Sequence, residues 1–410
     1  MALIQKAFSD IITFSRSSNA TRIGPTGLVE YAPHNLLLQS QTFDNASWLK
    51  SNSSITANAI AAPDGTVTAD KLVEAATTSV HSATQAVTFA ANFIYTASVY
   101  AKAGERSFLI IQPTGDSRFA YYNLSNGTVG TVSGSPLSTQ IQSVGNNWYR
   151  CTITVTSPGA TAANCILYSA ATDGNATYTG DGTSGIYIWG AQLAVGPYAL
   201  DYTPTTSAAV YGPRFDFDPV TLAPKGLLVE EQRTNLFTYS EDFSNAAWAQ
   251  SYLTENITAN SATSPSGQVT ADTIADSATT AEFAVGQTVS VTANVPYTFS
   301  VFAKANGSNF LYLRYYGNLE QYYYTVIFDL SLGTATKSQI GSSASNSSNT
   351  ITSVGNGWYR LTVTATVNSG TLVPIIGIAA SGTDTIGSFG EISVNGTGSR
   401  SCYIWGAQLE

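Results

Sequence analysis

The chain has 410 residues, of which 43% are hydrophobic and only 10% charged, a globular composition with room for two or three domains. Its 17 basic and 26 acidic residues give a net charge of −9 with no basic run, which argues against nucleic acid or an anionic membrane as a partner. The start, MALIQKAFSDII, lacks the features of a signal peptide, and no apolar run is long enough to span a bilayer, so the expectation is a soluble protein made in a cytoplasm.

In chain order, FSRSSNATRIGPTGLVEYAPHN reads as strand, Pro/Gly turn, strand, a hairpin within an N-terminal segment 1–34. A β-rich module follows over 35–195, with breakers every ten residues or so. YTASVYAK sets Tyr95, Ala97 and Val99 against Thr96, Ser98 and Tyr100, the period of a strand. The Pro/Thr/Ala-rich stretch after WGAQL is the expected linker, and with RFDFDPVTLAPKGLLVEEQRTN, a second hairpin, it fills 196–234. A second module over 235–410 completes the chain.

The two modules are copies. HNLLLQSQTFDNASW (34–48) answers TNLFTYSEDFSNAAW (234–248), VTADKL answers VTADTI, and YTASVYAK answers YTFSVFAK. Further on, SVGNNWYRCTITV answers SVGNGWYRLTVTA, and YIWGAQL closes each copy. The six tryptophans form three matched pairs, Trp48/Trp248, Trp148/Trp358 and Trp189/Trp405, expected as structural core with each indole N–H needing a partner. Gly190 and Gly406 beside them suggest a bulge or a close backbone approach. The fold expectation is therefore all-β: two tandem antiparallel jelly-roll β-sandwiches preceded by short β-hairpin segments.

Catalytic chemistry finds little support. His34 and His81 have no histidine counterparts in the second copy, and no nucleophile elbow is present. The recurring acids, Glu30/Glu230 and Asp70/Asp272, suit a turn, cap or charge pair of the fold better than a catalytic dyad, and Asp116 and Glu320 lack obvious partners. Cys151, Cys165 and Cys402 show no metal spacing. Cys151 reads as a small buried residue, although its distance from Cys165 leaves a disulfide open. No cofactor is expected. Oxygen ligands such as Asp44 with Asp70, or Asp242 with Asp272, leave a structural Ca²⁺ open.

The densest aromatic run is NFLYLRYYGNLEQYYYTVIF. Tyr312, Arg314 and Tyr316 share one face of a strand, and Tyr322 and Tyr324 alternate on the next. Such a platform suits a glycan or a protein partner, and packing in a core or between subunits is the alternative reading.

The ordered blocks FSR-x-S-x-AT, GLVE, RTNL, YSEDF, WYR and YIWGAQLE resemble the repeated head-spike-fibre and tail-fibre modules of bacteriophage virion proteins, which are similar in turn to carbohydrate-binding jelly rolls. The first copy departs from the pattern, with APHN in place of EQRTN and no RFDFD strand. The resemblance implies a non-enzymatic structural protein, a head- or tail-attached fibre or spike contacting host-surface polysaccharide. It would be assembled into the virion in the bacterial cytoplasm, trimeric, and bound to other virion proteins through its N-terminal segment. The alternatives are a capsid decoration protein and a tail-associated polysaccharide depolymerase.

Overall fold

The computed structural model describes residues 16, 18–90, 93–157, 159, 161–229, 234–251, 257–317, 323–342 and 344–410. Every element among them is a β-strand, and the strands pair antiparallel into two β-sandwiches. The described residues divide into two compact units. One holds Tyr31–Arg214 with the described residues before Ile23, and the other holds Ile23–Glu30 with Phe215–Glu410.

In the first unit one sheet runs in the order Thr128–Ser133, Phe119–Asn123, Phe108–Gln112, Thr161–Ala170, His81–Phe89, Leu49–Ser51. The other runs Ser138–Gly145, Trp148–Thr156, Ile94–Ala103, Gly185–Val195, Ala69–Glu74, Ser53–Ile60. Alternation decides which side chains meet between them. Ala97, Val99, Cys151, Ile153 and Leu193 face Leu109, Ile111, Tyr122 and Leu167 in one buried cluster. Each large aliphatic side chain taken fully out of water there stabilises by roughly 1.5–3 kcal/mol. Trp48 lies in this core with Phe43 at 4.9 Å. The second unit repeats the plan, with Trp248 packed on Phe243 and Phe237.

Two devices recur in each copy. Asp70 accepts the N–H groups of Phe43 and Asn58, both at 2.8 Å, and Asp272 accepts those of Phe243 and Asn260 at the same distances. Asn35 accepts the N–H of Leu193 and donates to Ala191 O, while Asn235 does the same with Leu409 and Ala407. The strand they grip is bulged: its register slips between Trp189 and Gln192 in one copy. In the other the slip falls between Ser300 and Phe302, opposite Trp405. Gly190 (φ +62°) and Gly406 (φ +63°) take the left-handed conformation that the bulge requires.

All six tryptophans are buried, at 5% exposure or less, yet only Trp48 and Trp248 lie between the sheets. Trp148 and Trp189 form a separate cluster with Ala62 and Ala69 on the outer side of their sheet, and Trp358 and Trp405 do so with Ala271 and Val354. Strand alternation accounts for this placement, and the bulge resets which face the residues behind it take. Before it Ile186 and Ile188 point inward and Trp189 outward; after it Ala191, Leu193 and Val195 point inward. Five indole N–H groups donate to protein oxygens, Trp189 to Thr68 Oγ1 and Trp405 to Thr270 Oγ1 among them, both at 3.0 Å.

Two boundaries differ from the sequence reading. The stretch expected as a linker after residue 195 packs on the first sandwich instead: Tyr202 meets the Trp189 ring at 4.9 Å, Thr205 N donates to Ser40 Oγ, and Val210–Tyr211 pairs with His34–Asn35. Ala/Thr/Pro composition suggested a free tether, but Tyr202 and Leu200 supply the apolar contacts that hold it down. The first hairpin, Thr21–Ile23 paired with Val29–Tyr31, is likewise no separate segment. Its tip, Ile23–Glu30, belongs to the second unit, where Ile23 and Val29 lie on the Trp358 cluster. The remainder of the expected anchor, residues 1–15 and 17, lies outside the described residues.

Candidate functional site

The tyrosine platform expected around Tyr312 does not form an open surface. Tyr312, Arg314 and Tyr316 do share the outer face of their strand, but the hairpin register pairs Tyr316 with Tyr323 and Tyr315 with Tyr324. Tyr324 therefore points into the sandwich, where its hydroxyl accepts from Asn349 Nδ2 at 2.7 Å. Tyr322 lies outside the described residues. On the outer face Tyr312 is 0% and Arg314 6% exposed. Tyr312 Oη donates to Glu282 Oε1 at 2.6 Å, Arg314 pairs with the same carboxylate at 3.0 Å, and the guanidinium sits over the half-buried Tyr316 ring.

The cover is the chain itself. Residues 379–393 cross this face between Thr371–Ile378 and Val394–Asn395, burying Ile386 and Ile392 in the same cluster as Tyr312. Thr325 Oγ1 donates to Gly390 O at 2.7 Å, and Phe389 meets Tyr316 edge-on. Periodicity set the right face for Tyr312, but the roof is contributed from some seventy residues away and carries no strand pattern. Gly377, paired with Tyr312, leaves the space its ring occupies, since any Cβ there would collide with the phenol.

The equivalent face of the first copy has a shorter roof, because only residues 171–177 separate Thr161–Ala170 from Tyr178–Thr179. Ile110, Tyr121 and Ala170 form its buried floor, and Phe108, Phe119 and Tyr168 stand half-buried around them. Phe119 meets Tyr121 edge-on with centroids 6.0 Å apart. Polar groups border the rings. Tyr168 Oη donates to Gln112 Oε1 at 2.7 Å, and Gln112 Nε2 donates to Asp116 O. The Asp116 carboxylate accepts from Thr114 Oγ1, from the Arg118 N–H and from Arg118 Nε. Burial pushes the Asp116 carboxyl up, but Arg118 and Thr114 outweigh it and hold it below the usual range. Burial also raises the Tyr121 and Tyr168 phenols, with Asp173 adding to the first and Tyr121 to the second. The face is thus a neutral aromatic surface beside a fixed ion pair. Such a surface stacks on the apolar face of a sugar ring while neighbouring side chains bond its hydroxyls. Its signal was present in FLIIQPTGDSRFAYY, where positions 108, 110 and 112 share one face of a strand and 109 and 111 the other, but its aromatic count was lower than that of the second copy.

Glu230 and Glu320 lie outside the described residues, and the other sequence candidates are engaged within the fold. His34 is 0% exposed, with Nδ1 donating to Ala32 O and Nε2 accepting from Val195 N, both at 2.8 Å. Burial lowers its pKa to about 4; the Ala32 bond opposes this and Arg16 adds to it. His81 contacts Asn52 O and Tyr178 O. Cys151, Cys165 and Cys402 are free, buried thiols. Asp70 and Asp272 have their oxygens on backbone N–H groups, and among the described residues no three His, Cys, Asp or Glu side chains converge as a metal site. The sequence reading also missed a buried carboxylate at equivalent positions of both copies, each paired with an arginine from a different place in its module. Glu74 accepts from Arg106 Nη2 and Nε, Tyr178 Oη and Asp181 N, and Asp276 accepts from Arg400.

No family model matches the chain, and neither does any curated protein. Among solved structures, the N-terminal tandem of carbohydrate-binding modules CBM22-1 and CBM22-2 of Xyn10C from Paenibacillus barcinonensis is similar over 92% of this chain and 97% of its own. The identity is 9% and the TM-score 0.27. The architecture above rests on this chain's own strand pairing, not on that likeness.

Proposed function

We propose that this chain is a non-enzymatic glycan-contacting protein of a bacteriophage particle, a fibre or spike whose first module carries the sugar-binding face. The observation that carries the reading is the difference between the two outer faces. The second is roofed by residues 379–393, whereas the first leaves Phe108, Phe119 and Tyr168 partly open beside Gln112 and Arg118. The structural engagement of both histidines favours binding over catalysis. The particle assignment is supported by the ordered repeat blocks.

The test is affinity electrophoresis of the full chain through gels containing host-surface polysaccharide. Retardation is expected for the wild type, with a loss of about tenfold or more in affinity for Phe119→Ala or Tyr168→Ala. Unretarded migration in every host polysaccharide would sink the glycan reading. Immunogold labelling of intact particles tests the virion reading separately, and absence of label from purified virions would end it.

A further inference from the structure

The two modules differ in what covers the outer side of the strands Gly185–Val195 and Ser401–Leu409. In the first module residues 200–206 run across it, held largely by their own backbone carbonyls. Leu200 O accepts from Arg150 Nη2 at 2.6 Å, Asp201 O from Gln192 Nε2 at 3.1 Å and Thr203 O from Asn35 Nδ2 at 3.0 Å. Thr205 O and Thr206 O accept the N–H groups of Ser40 and Gln39. Two side chains add anchors: Tyr202 Oη meets Ser40 Oγ at 2.8 Å with its ring against Trp189, and Thr205 Oγ1 donates to Leu37 O.

The second module keeps the receiving groups and, among the described residues, lacks the segment. Arg360, Gln408, Asn235 and Ser240 stand where Arg150, Gln192, Asn35 and Ser40 stand in the first copy. Gln192, Asn35 and Ser40 are 1%, 0% and 0% exposed, whereas Gln408, Asn235 and Ser240 are only half-buried. Tyr239, in the place of Gln39, is 57% exposed. The bulge glycines make the same contrast. A Cβ on Gly190 would fall 3.2 Å from the Tyr202 ring, but one on Gly406 would meet, among the described residues, only Phe302 within 4 Å. The space that Tyr202 fills in one module is open in the other.

We propose that this groove of the second module binds an extended segment of a partner protein, gripped by its backbone carbonyls and anchored by a tyrosine and a threonine three residues later. The chemistry of the occupant follows from residues 200–206, which show what the same groups hold when the groove is filled. A second copy of the chain is a poor donor, because its own residues 200–206 are spent on its first module. Recognition through carbonyls tolerates many sequences, so the tyrosine and the threonine carry the selectivity.

The probe is a fluorescent peptide of residues 196–211, titrated with the full chain and read by anisotropy. Saturable binding of one peptide per chain is expected, weakened about tenfold by Ser240→Ala in the protein or by Tyr202→Ala in the peptide. Ser240 is half-buried, and its substitution should leave the melting curve unchanged. A peptide carrying a photoreactive phenylalanine in the place of Tyr202 should crosslink to Ser401–Leu409. No binding, binding indifferent to both substitutions, or crosslinks to Gly185–Val195 instead would overturn the proposal. Dimers of the chain alone that Ser240→Ala dissolves would give the groove to a second copy and overturn it as well.

Discussion

The carboxylate of Asp272 accepts the backbone N–H of Phe243 at 2.8 Å, joining a strand edge to the turn that carries Trp248. Its other oxygen accepts Asn260 N, and the residue is 1% exposed. Replacing it with Ala leaves two N–H donors without a protein acceptor. A loss of about 1–3 kcal/mol per orphaned group is expected in denaturant titrations of the second module, and Asp70→Ala should behave alike in the first.

Burial raises the Asp272 carboxyl to about 6, against the backbone bonds from Asn260 and Phe243 and helped by Asp242. The folded state therefore holds this proton more tightly than the unfolded chain does. Its contribution to stability declines as pH climbs from about 4 to about 6, by on the order of 2–3 kcal/mol. His34 has the opposite slope. Its pKa, lowered to about 4, means that stability falls as pH drops from about 6.5 toward 4. Calorimetry from pH 4 to 7 should show Asp272→Asn and His34→Gln each removing one of these slopes.

Arg106 holds Glu74, whose side chain is 0% exposed. Arg106→Met strands that charge and should cost about 3–5 kcal/mol, measured by urea unfolding. Adding Glu74→Gln should recover part of the loss. Arg400→Met, acting on the equally buried Asp276 side chain from a different place in its module, tests the second pair.

Gly406→Ala places a side chain at φ +63°, with its Cβ 3.2 Å from Phe302. The expected cost is about 1–3 kcal/mol. Gly190→Ala should lose at least as much, because Tyr100 and Tyr202 both crowd that position, at 3.0 and 3.2 Å.

Tyr312→Phe removes the bond to Glu282 and should lower stability by about 1 kcal/mol while leaving polysaccharide retardation unchanged. The same gels that report Phe119→Ala check this.

Much of the fold could be read from residues. Alternation in YTASVYAK placed Ala97 and Val99 inward, and duplication of YIWGAQL marked two modules of one kind. Placement of the aromatics was harder. Gly190 signalled a bulge, but the apolar run did not show that Trp189 faces outward before it while Ala191 and Leu193 turn inward after it. The Tyr312 face failed for a different reason: what covers a sheet is decided by loops such as 379–393, whose packing has no period. Polar bonds over long separations, such as Glu74 with Arg106, leave no local mark at all.

The strand Gly185–Val195 enters its sheet late in the module yet sits between Ala69–Glu74 and Ile94–Ala103. A nascent chain on the ribosome thus exposes two half-sheets with no shared edge until this segment emerges. Closing each module over such long loops is inherently slow. Stalling translation before YIWGAQL would prolong the interval in which those open edges can pair with a neighbouring nascent chain.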